Sequence, residues 1–332
     1  MRATFIASKQ TTCHATCSPV PVPSQRGGHS ELQRARPEAR RPTAQWLSAV
    51  RTRKQATRRT VSRLFAYGMY ENYFVALMDT RLKKIILLQV QESFETHTRG
   101  RKRMDPEKVL DEILYILWTG APWRSLNAKG ASHFQTVHGH FMAWARKGVF
   151  KRAYAIALRL MKRKGRRNQY YCIDTTFIKS IYGQDCVGRN PTDRGRNATK
   201  LSAMVDSRGL PVSLAFFPAN VHDVHTVDGT LRNRLLSPSV RGAPLYADKG
   251  YWSKDVRQKF CEAGYVDRVS KRGALVHRVI NRKRNVVERT FSWLDKNRRL
   301  LVRYDATIVA YKAFSWLACV RLLRNRDLSV YW

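Results

Sequence analysis

The chain has 332 residues, 43% of them apolar, which is enough for a sizeable core and usually means two domains. Its 62 Lys and Arg face only 24 Asp and Glu, a formal net charge of +38. Self-repulsion on that scale calls for a polyanionic partner, with nucleic acid first because basic side chains release counterions from phosphates. No apolar run approaches the ~20 residues that span a bilayer, and the N-terminus lacks a continuous apolar stretch, so neither a membrane span nor a secretory signal is expected. Charge alone leaves open a basic protein that binds nucleic acid without acting on it.

Residues 1–66 are rich in Arg, Ser, Thr, Pro and Gln, with Glu31 and Glu38 as their acids. They hold no hydrophobic period and cannot offset their ordering entropy, so they read as a disordered basic arm that lies along DNA. Two alternatives stand beside that reading. The segment could be an organelle transit peptide, or an upstream extension with Met69 as the functional start. Cys13-His14 followed by Cys17 hints at a metal, but a single short cluster without a second pair is weak. The scattered cysteines read as reduced thiols of an intracellular protein.

Residues 67–165 read as a helical, DNA-binding domain. Asp105-Pro106-Glu107 starts a helix, with Asp as N-cap and Pro at the first helical position. Val109, Leu110, Ile113, Leu114 and Leu117 recur at helical spacing, and Gly120 and Pro122 end the run. A second helix is predicted over 131–147 and a third over 149–160. Short helices with basic flanks suit a helix-turn-helix module, although an ordinary bundle with a charged rim has the same spacing. Trp123, Trp144, Trp293 and Trp316 read as core.

Residues 166–328 change period. The stretch 169–178 is dense in β-branched and aromatic residues, as are 198–205 and 210–217, with Asp206-Ser-Arg-Gly209 a turn between the last two. A helix is predicted over 224–236, a strand over 244–248, a helix over 253–263, a strand over 265–270, and closing helices over 281–301 and 306–324. Hairpin strands followed by alternating helix and strand imply an α/β fold, a mixed sheet flanked by helices.

Three acids invite chemistry. Asp174 interrupts a strand that continues beyond it, and Asp248 ends another apolar strand. A carboxylate in such a place is costly unless a cation compensates it, either a metal or a neighbouring Arg or Lys. Asp206 is explained by capping its turn. Glu288 lies on a helix whose apolar stripe is Ile280, Val287, Phe291 and Leu294, and it shares another face with Arg284, Ser292 and Asp295. It is either half of a surface Arg284–Glu288 pair or a third acid directed at the two aspartates. Phosphodiester cleavage gives three such acids a use, since two divalent ions roughly 3.5–4 Å apart stabilise the attacking and leaving oxygens of an in-line displacement. Mg²⁺ takes oxygen ligands and keeps several waters, so a few carboxylates suffice.

Several motifs resemble the DDE transposases of the IS4/IS5 insertion-sequence group. They are Tyr171-Cys-Ile-Asp174-Thr-Thr, Gly195-Arg-Asn-Ala-Thr-Lys200-Leu, Pro218-Ala-Asn-Val-His222-Asp223, Leu245-Tyr-Ala-Asp248-Lys-Gly-Tyr251 and Arg284-Asn-Val-Val-Glu288. Upstream, Trp118-Thr-Gly-Ala-Pro-Trp and Trp144-Ala-Arg-Lys-Gly-Val-Phe are similar to the N-terminal helical domain of that group. The resemblance covers roughly residues 70–325 and implies an RNase H-like catalytic domain. It further implies Asp174, Asp248 and Glu288 as catalytic metal ligands for Mg²⁺ or Mn²⁺, with two ions. Lys200, Lys249, Arg284 and Arg298 become candidate DNA contacts. Arg284 could instead orient Glu288, and a solvated Lys200 is the ordinary alternative. His222 is a candidate support for the metal site, while Asn220 reads as a helix cap. The sequence departs from the group's third motif by Asn281 where a Tyr is usual and Asp295 where a Lys is usual.

The implied function is cleavage and strand transfer of DNA bound at transposon terminal inverted repeats and joined to target DNA, by a homo-oligomer on paired ends. A related nuclease without strand transfer and a domesticated, non-catalytic DNA-binding protein are the alternatives. The compartment would be the cytoplasm in a bacterium, or the nucleus in a eukaryotic or viral setting.

Overall fold

A computed structural model describes residues 78–94, 103–129, 132–164, 170–238, 241–271 and 278–324. The basic arm, Cys13, Cys17 and Met69 lie outside the described residues. The described residues belong to one compact unit.

The first part is helical. Helix α1 (Thr80–Ser93) is capped by Asp79, whose carboxylate accepts from the Arg81 amide. Helix α2 (Pro106–Thr119) starts as its sequence dictates, with the Asp105 carboxylate accepting from the Glu107 amide and Pro106 in the first turn, and it ends on Gly120 at φ 68°. A 3₁₀ turn (Trp123–Lys129) leads to α3 (Phe134–Arg146) and α4 (Val149–Lys164). Gly148, at φ 67°, makes the break between these last two, a left-handed conformation that glycine adopts without steric cost.

The second part is a mixed sheet. Strands β1 (Tyr171–Ser180), β2 (Gly188–Arg189), β3 (Asn197–Asp206), β4 (Pro211–Pro218), β5 (Ala243–Ala247), β6 (Tyr265–Val269) and β7 (Val302–Arg303) are joined by helices α5 (Asp223–Arg232), α6 (Lys254–Glu262), α7 (Arg278–Asp295) and α8 (Arg298–Leu301). Helix α9 (Ile308–Leu322) closes the described chain. The main order is β4-β3-β1-β5-β6, with β2 on β3 and β7 beside the end of β1. The hairpin strands pair antiparallel, whereas β5 and β6 run parallel to β1. This is a mixed sheet flanked by helices, as the sequence pattern implies.

Predicted helix boundaries change most at three places. The helix expected to end at residue 160 runs on to Lys164. The helix expected over 281–301 begins at Arg278 and breaks after Asp295, where buried Asn297 donates to the Leu294 carbonyl and precedes α8. The helix expected from 224 to 236 ends at Arg232.

Helical segment and sheet share one continuous core. Phe141 of α3 stacks on Phe314 of α9 at 4.4 Å between centroids, a contact that adds about 0.5–1.5 kcal/mol to the area it buries. The Tyr154 hydroxyl of α4 donates to the Pro211 carbonyl at the start of β4. Trp144 and Trp316 are buried, and Trp123 packs against Phe141 and Phe314, so these three are core as their sequence context predicts. The Asp206 carboxylate is fully buried and caps its turn, accepting from the Arg208 and Leu210 amides.

Candidate active site

The geometry of the acids follows from strand register. Parallel strands β1 and β5 align Tyr171 with Leu245 and Cys172 with Tyr246. Carried forward two residues, the same register sets Asp174 level with Asp248, which immediately follows β5. Side chains at equal level on neighbouring parallel strands share a face, and the strands stand about 4.8 Å apart. Asp174 therefore lies inside the sheet and Asp248 at its carboxyl edge, side by side.

One cation holds both. Arg284 of α7 places Nη2 3.2 Å from Asp174 Oδ2 and Nη1 3.0 Å from Asp248 Oδ1. Its side chain is 15% exposed, against 19% for Asp174 and 42% for Asp248. The pairing with a neighbouring Arg that the sequence left open is thus realised, and the surface Arg284–Glu288 pair is not. The Thr175 amide donates to Asp174 Oδ1 at 2.8 Å. Burial pushes the Asp174 carboxyl above its usual range, and the nearby Asp248 charge adds to the rise. The Thr175 amide and Arg284 pull the other way. Arg284 Nε is buried without an acceptor.

Glu288 stands one turn beyond Arg284 on α7. It is exposed and has no ion pair among the described residues. No group of three or more His, Cys, Asp or Glu stands together as a metal site among the described residues. Asp174 and Asp248 are brought together, and Glu288 lies exposed on the helix that carries Arg284.

The chemistry of the donor set suits a hard divalent ion. Two adjacent carboxylates, one of them desolvated, concentrate acidic oxygens that already require a cation between them. Beside them lies a cavity of about 200 Å³ lined by Asp248, Lys249, Ser270, Asn281 and Arg284. Lys249 is exposed at its mouth.

Two expectations are corrected, those for Lys200 and Asn220. Lys200 is neither solvated nor turned to the acidic face. It pairs opposite Phe177 on β1, hence on the other side of the sheet from Asp174. There it is 5% exposed, with Nζ 2.7 Å from Asp223 Oδ1 and 2.6 Å from the Val221 carbonyl. The cap of α5 is His222, whose Nδ1 accepts from the Val224 amide at 3.4 Å. Asn220 instead abuts Gly188 so closely that a Cβ there would meet Asn220 Oδ1 at 2.0 Å. No described hydrogen bond or ion pair joins His222 to the acidic pair. Arg298 is exposed, and its backbone packs on Gly120 at the end of α2. The part missed from sequence is the bridge itself, since a helix residue reaching two strands leaves no local periodic trace.

Two aspartates thus stand level at adjacent parallel strands of a mixed sheet flanked by helices. Residues 166–323 match the family described as transposase DDE domain, and residues 85–154 match the transposases of the IS4/5 family. The chain is 32% identical over 159 residues to a transposase for insertion sequence element IS402 of Burkholderia cepacia, covering 45% of this chain and 75% of that protein. The chain belongs to the DDE transposases of the IS4/IS5 group. Among solved structures it is similar to piggyBac transposase in a synaptic complex with hairpin DNA, at 9% identity over 75% of this chain and 72% of that one, with a TM-score of 0.41. It is also similar to a pre-cleavage Mos1 transpososome, at 13% identity over 70% and 82%, with a TM-score of 0.25. A Mos1 paired-end complex with Mn shares 14% identity over 82% and 98%, with a TM-score of 0.24. No described helix is long and apolar enough to cross a membrane.

Proposed function

We propose that this transposase binds the terminal inverted repeats of its own element and catalyses metal-dependent cleavage and strand transfer into target DNA. Asp174, Asp248 and Glu288 are the acids, with Mg²⁺ or Mn²⁺ held between them. The observation that carries this is the alignment of Asp174 and Asp248 on adjacent parallel strands around a single cation position. When bound, two divalent ions supply charge neutralisation at the attacking and leaving oxygens of an in-line phosphoryl displacement.

The protein's own groups have separate tasks. The Thr175 amide fixes the rotation of the Asp174 carboxylate. Asp248, at the open edge of the sheet, is 42% exposed and pairs with Arg284 through Oδ1. Glu288, exposed on the same helix as Arg284, supplies the third carboxylate when that helix and DNA close on each other. Lys249, exposed beside the cavity, faces the incoming phosphate backbone, and Arg284 can take a phosphate bidentately. Two copies acting on paired ends would present two such sites. The compartment follows the host: cytoplasm in a bacterium, nucleus elsewhere.

The test uses DNA carrying the gene's own flanks. Asp174→Asn, Asp248→Asn and Glu288→Gln should each lose Mg²⁺- or Mn²⁺-dependent 3′-end nicking and joining while retaining duplex binding. Cleavage by all three variants would refute the assignment. Nicked but never joined ends in the unmodified protein would make it a nuclease.

A further inference from the structure

Arg284 stands where a cation shared by Asp174 and Asp248 would stand. Its two terminal nitrogens lie 3.2 and 3.0 Å from the two carboxylates. A guanidinium and a divalent ion cannot share that position, because like charges within a few ångströms repel strongly in a partly desolvated site. The resting pose is also incomplete: Nε is buried with no acceptor, which weakens its hold on the site. The adjoining cavity of about 200 Å³, with Lys249 and Asn281 on its wall, gives the guanidinium somewhere to go.

We propose that Arg284 is a resident counter-ion that keeps metal affinity low in free protein and leaves the aspartates when a DNA phosphate accepts it. The inference rests on the carboxylates being the metal site. Its physical content is a competition. Only molecules whose Arg284 has moved can take a divalent ion, so apparent affinity is reduced by the fraction in that state. A phosphate that holds the guanidinium bidentately raises that fraction. By linkage, metal and DNA then favour each other's binding to the same degree. The protein is thereby loaded on DNA rather than in solution.

The experiment measures Mn²⁺ binding to the full-length chain without DNA, from the EPR signal of the free ion, with thermal unfolding recorded for each variant. Arg284→Gln should tighten Mn²⁺ binding at least about 5-fold, the lower end of usual coupling between sites. Arg284→Lys should fall between, because an ammonium is a point charge without the bidentate fork. It also decides the matter if the Gln variant does not fold. In a second arm, fluorescence anisotropy of a fluorescein-labelled random-sequence duplex should show Ca²⁺ favouring binding more in the unmodified protein than in Arg284→Gln. Unchanged or weaker Mn²⁺ binding in both Arg284 variants would overturn the proposal and make Arg284 a clamp that orients the aspartates. Mn²⁺ binding by Asp174→Asn equal to that of the unmodified protein would instead remove the carboxylate site itself, a separate failure that takes the proposal with it.

Discussion

On a β-strand, one step in sequence carries a side chain to the opposite face of the sheet. Asp174 faces α7 and its arginine, while Lys200, registered against Phe177, faces α5. The parity decides what each can do. An ammonium that is 5% exposed and bonded to Asp223 and a backbone carbonyl is committed to the fold. Thr175 also donates to Asp223, tying β1 to the start of α5. Lys200→Met should therefore cost about 1–3 kcal/mol, the usual loss for a buried charged hydrogen bond, read by urea unfolding. Asp223 is 35% exposed, so water takes over part of its solvation and the loss stays in that range. The salt dependence of DNA binding should not change. A slope reduced by about one would instead make Lys200 a phosphate contact.

Helix α7 carries Arg284 and Glu288, so its seating on the sheet governs the site. It is fixed at one point by fully buried Thr290, whose hydroxyl donates to the Gly209 carbonyl at 2.8 Å. Gly209 has φ +81°, and a Cβ there would meet Thr290 Oγ1 and the Trp293 ring at 3.0 Å. Gly209→Ala should cost about 1–2 kcal/mol for the left-handed backbone alone, seen as a lower unfolding midpoint. It should also depress cleavage by displacing α7. Full activity would mean that α7 tolerates the shift. Much of this level was legible in sequence. The β-branched density of β1, β3 and β4, the Asp206–Gly209 turn and the Asp105-Pro106 helix start are all local signals. Strands β2 and β7 have two residues each, too short for any period to register. The break at Asn297 was hidden because Leu294, Leu300 and Leu301 continue an apolar spacing across it. Within the site, each acid was legible as an oddity in its own strand or helix. Their bridge was not, because spacing along α7 suggested an Arg284–Glu288 surface pair and says nothing of which strands lie beneath.

At the scale of the whole molecule, the excess of positive charge is the dominant fact, and it is spread along the chain. Residues 1–66 hold 13 Lys and Arg against two acids, while most of the +38 lies in the remainder. Each phosphate neutralised contributes about 0.9 to the slope of log affinity against log salt. If the arm lies along DNA, a chain lacking residues 1–66 should bind more weakly on every duplex and with a visibly shallower slope. It should still retain substantial salt dependence from the folded part. Cleavage specificity for the element's own ends should survive, because backbone contacts position a protein without reading bases. Fluorescence anisotropy across a salt series, on end-sequence and random duplexes side by side, separates the cases. Equal slopes for the two chains would mean the arm touches no phosphate and would favour Met69 as the working start. A loss confined to end-sequence DNA would make the arm part of the recognition surface.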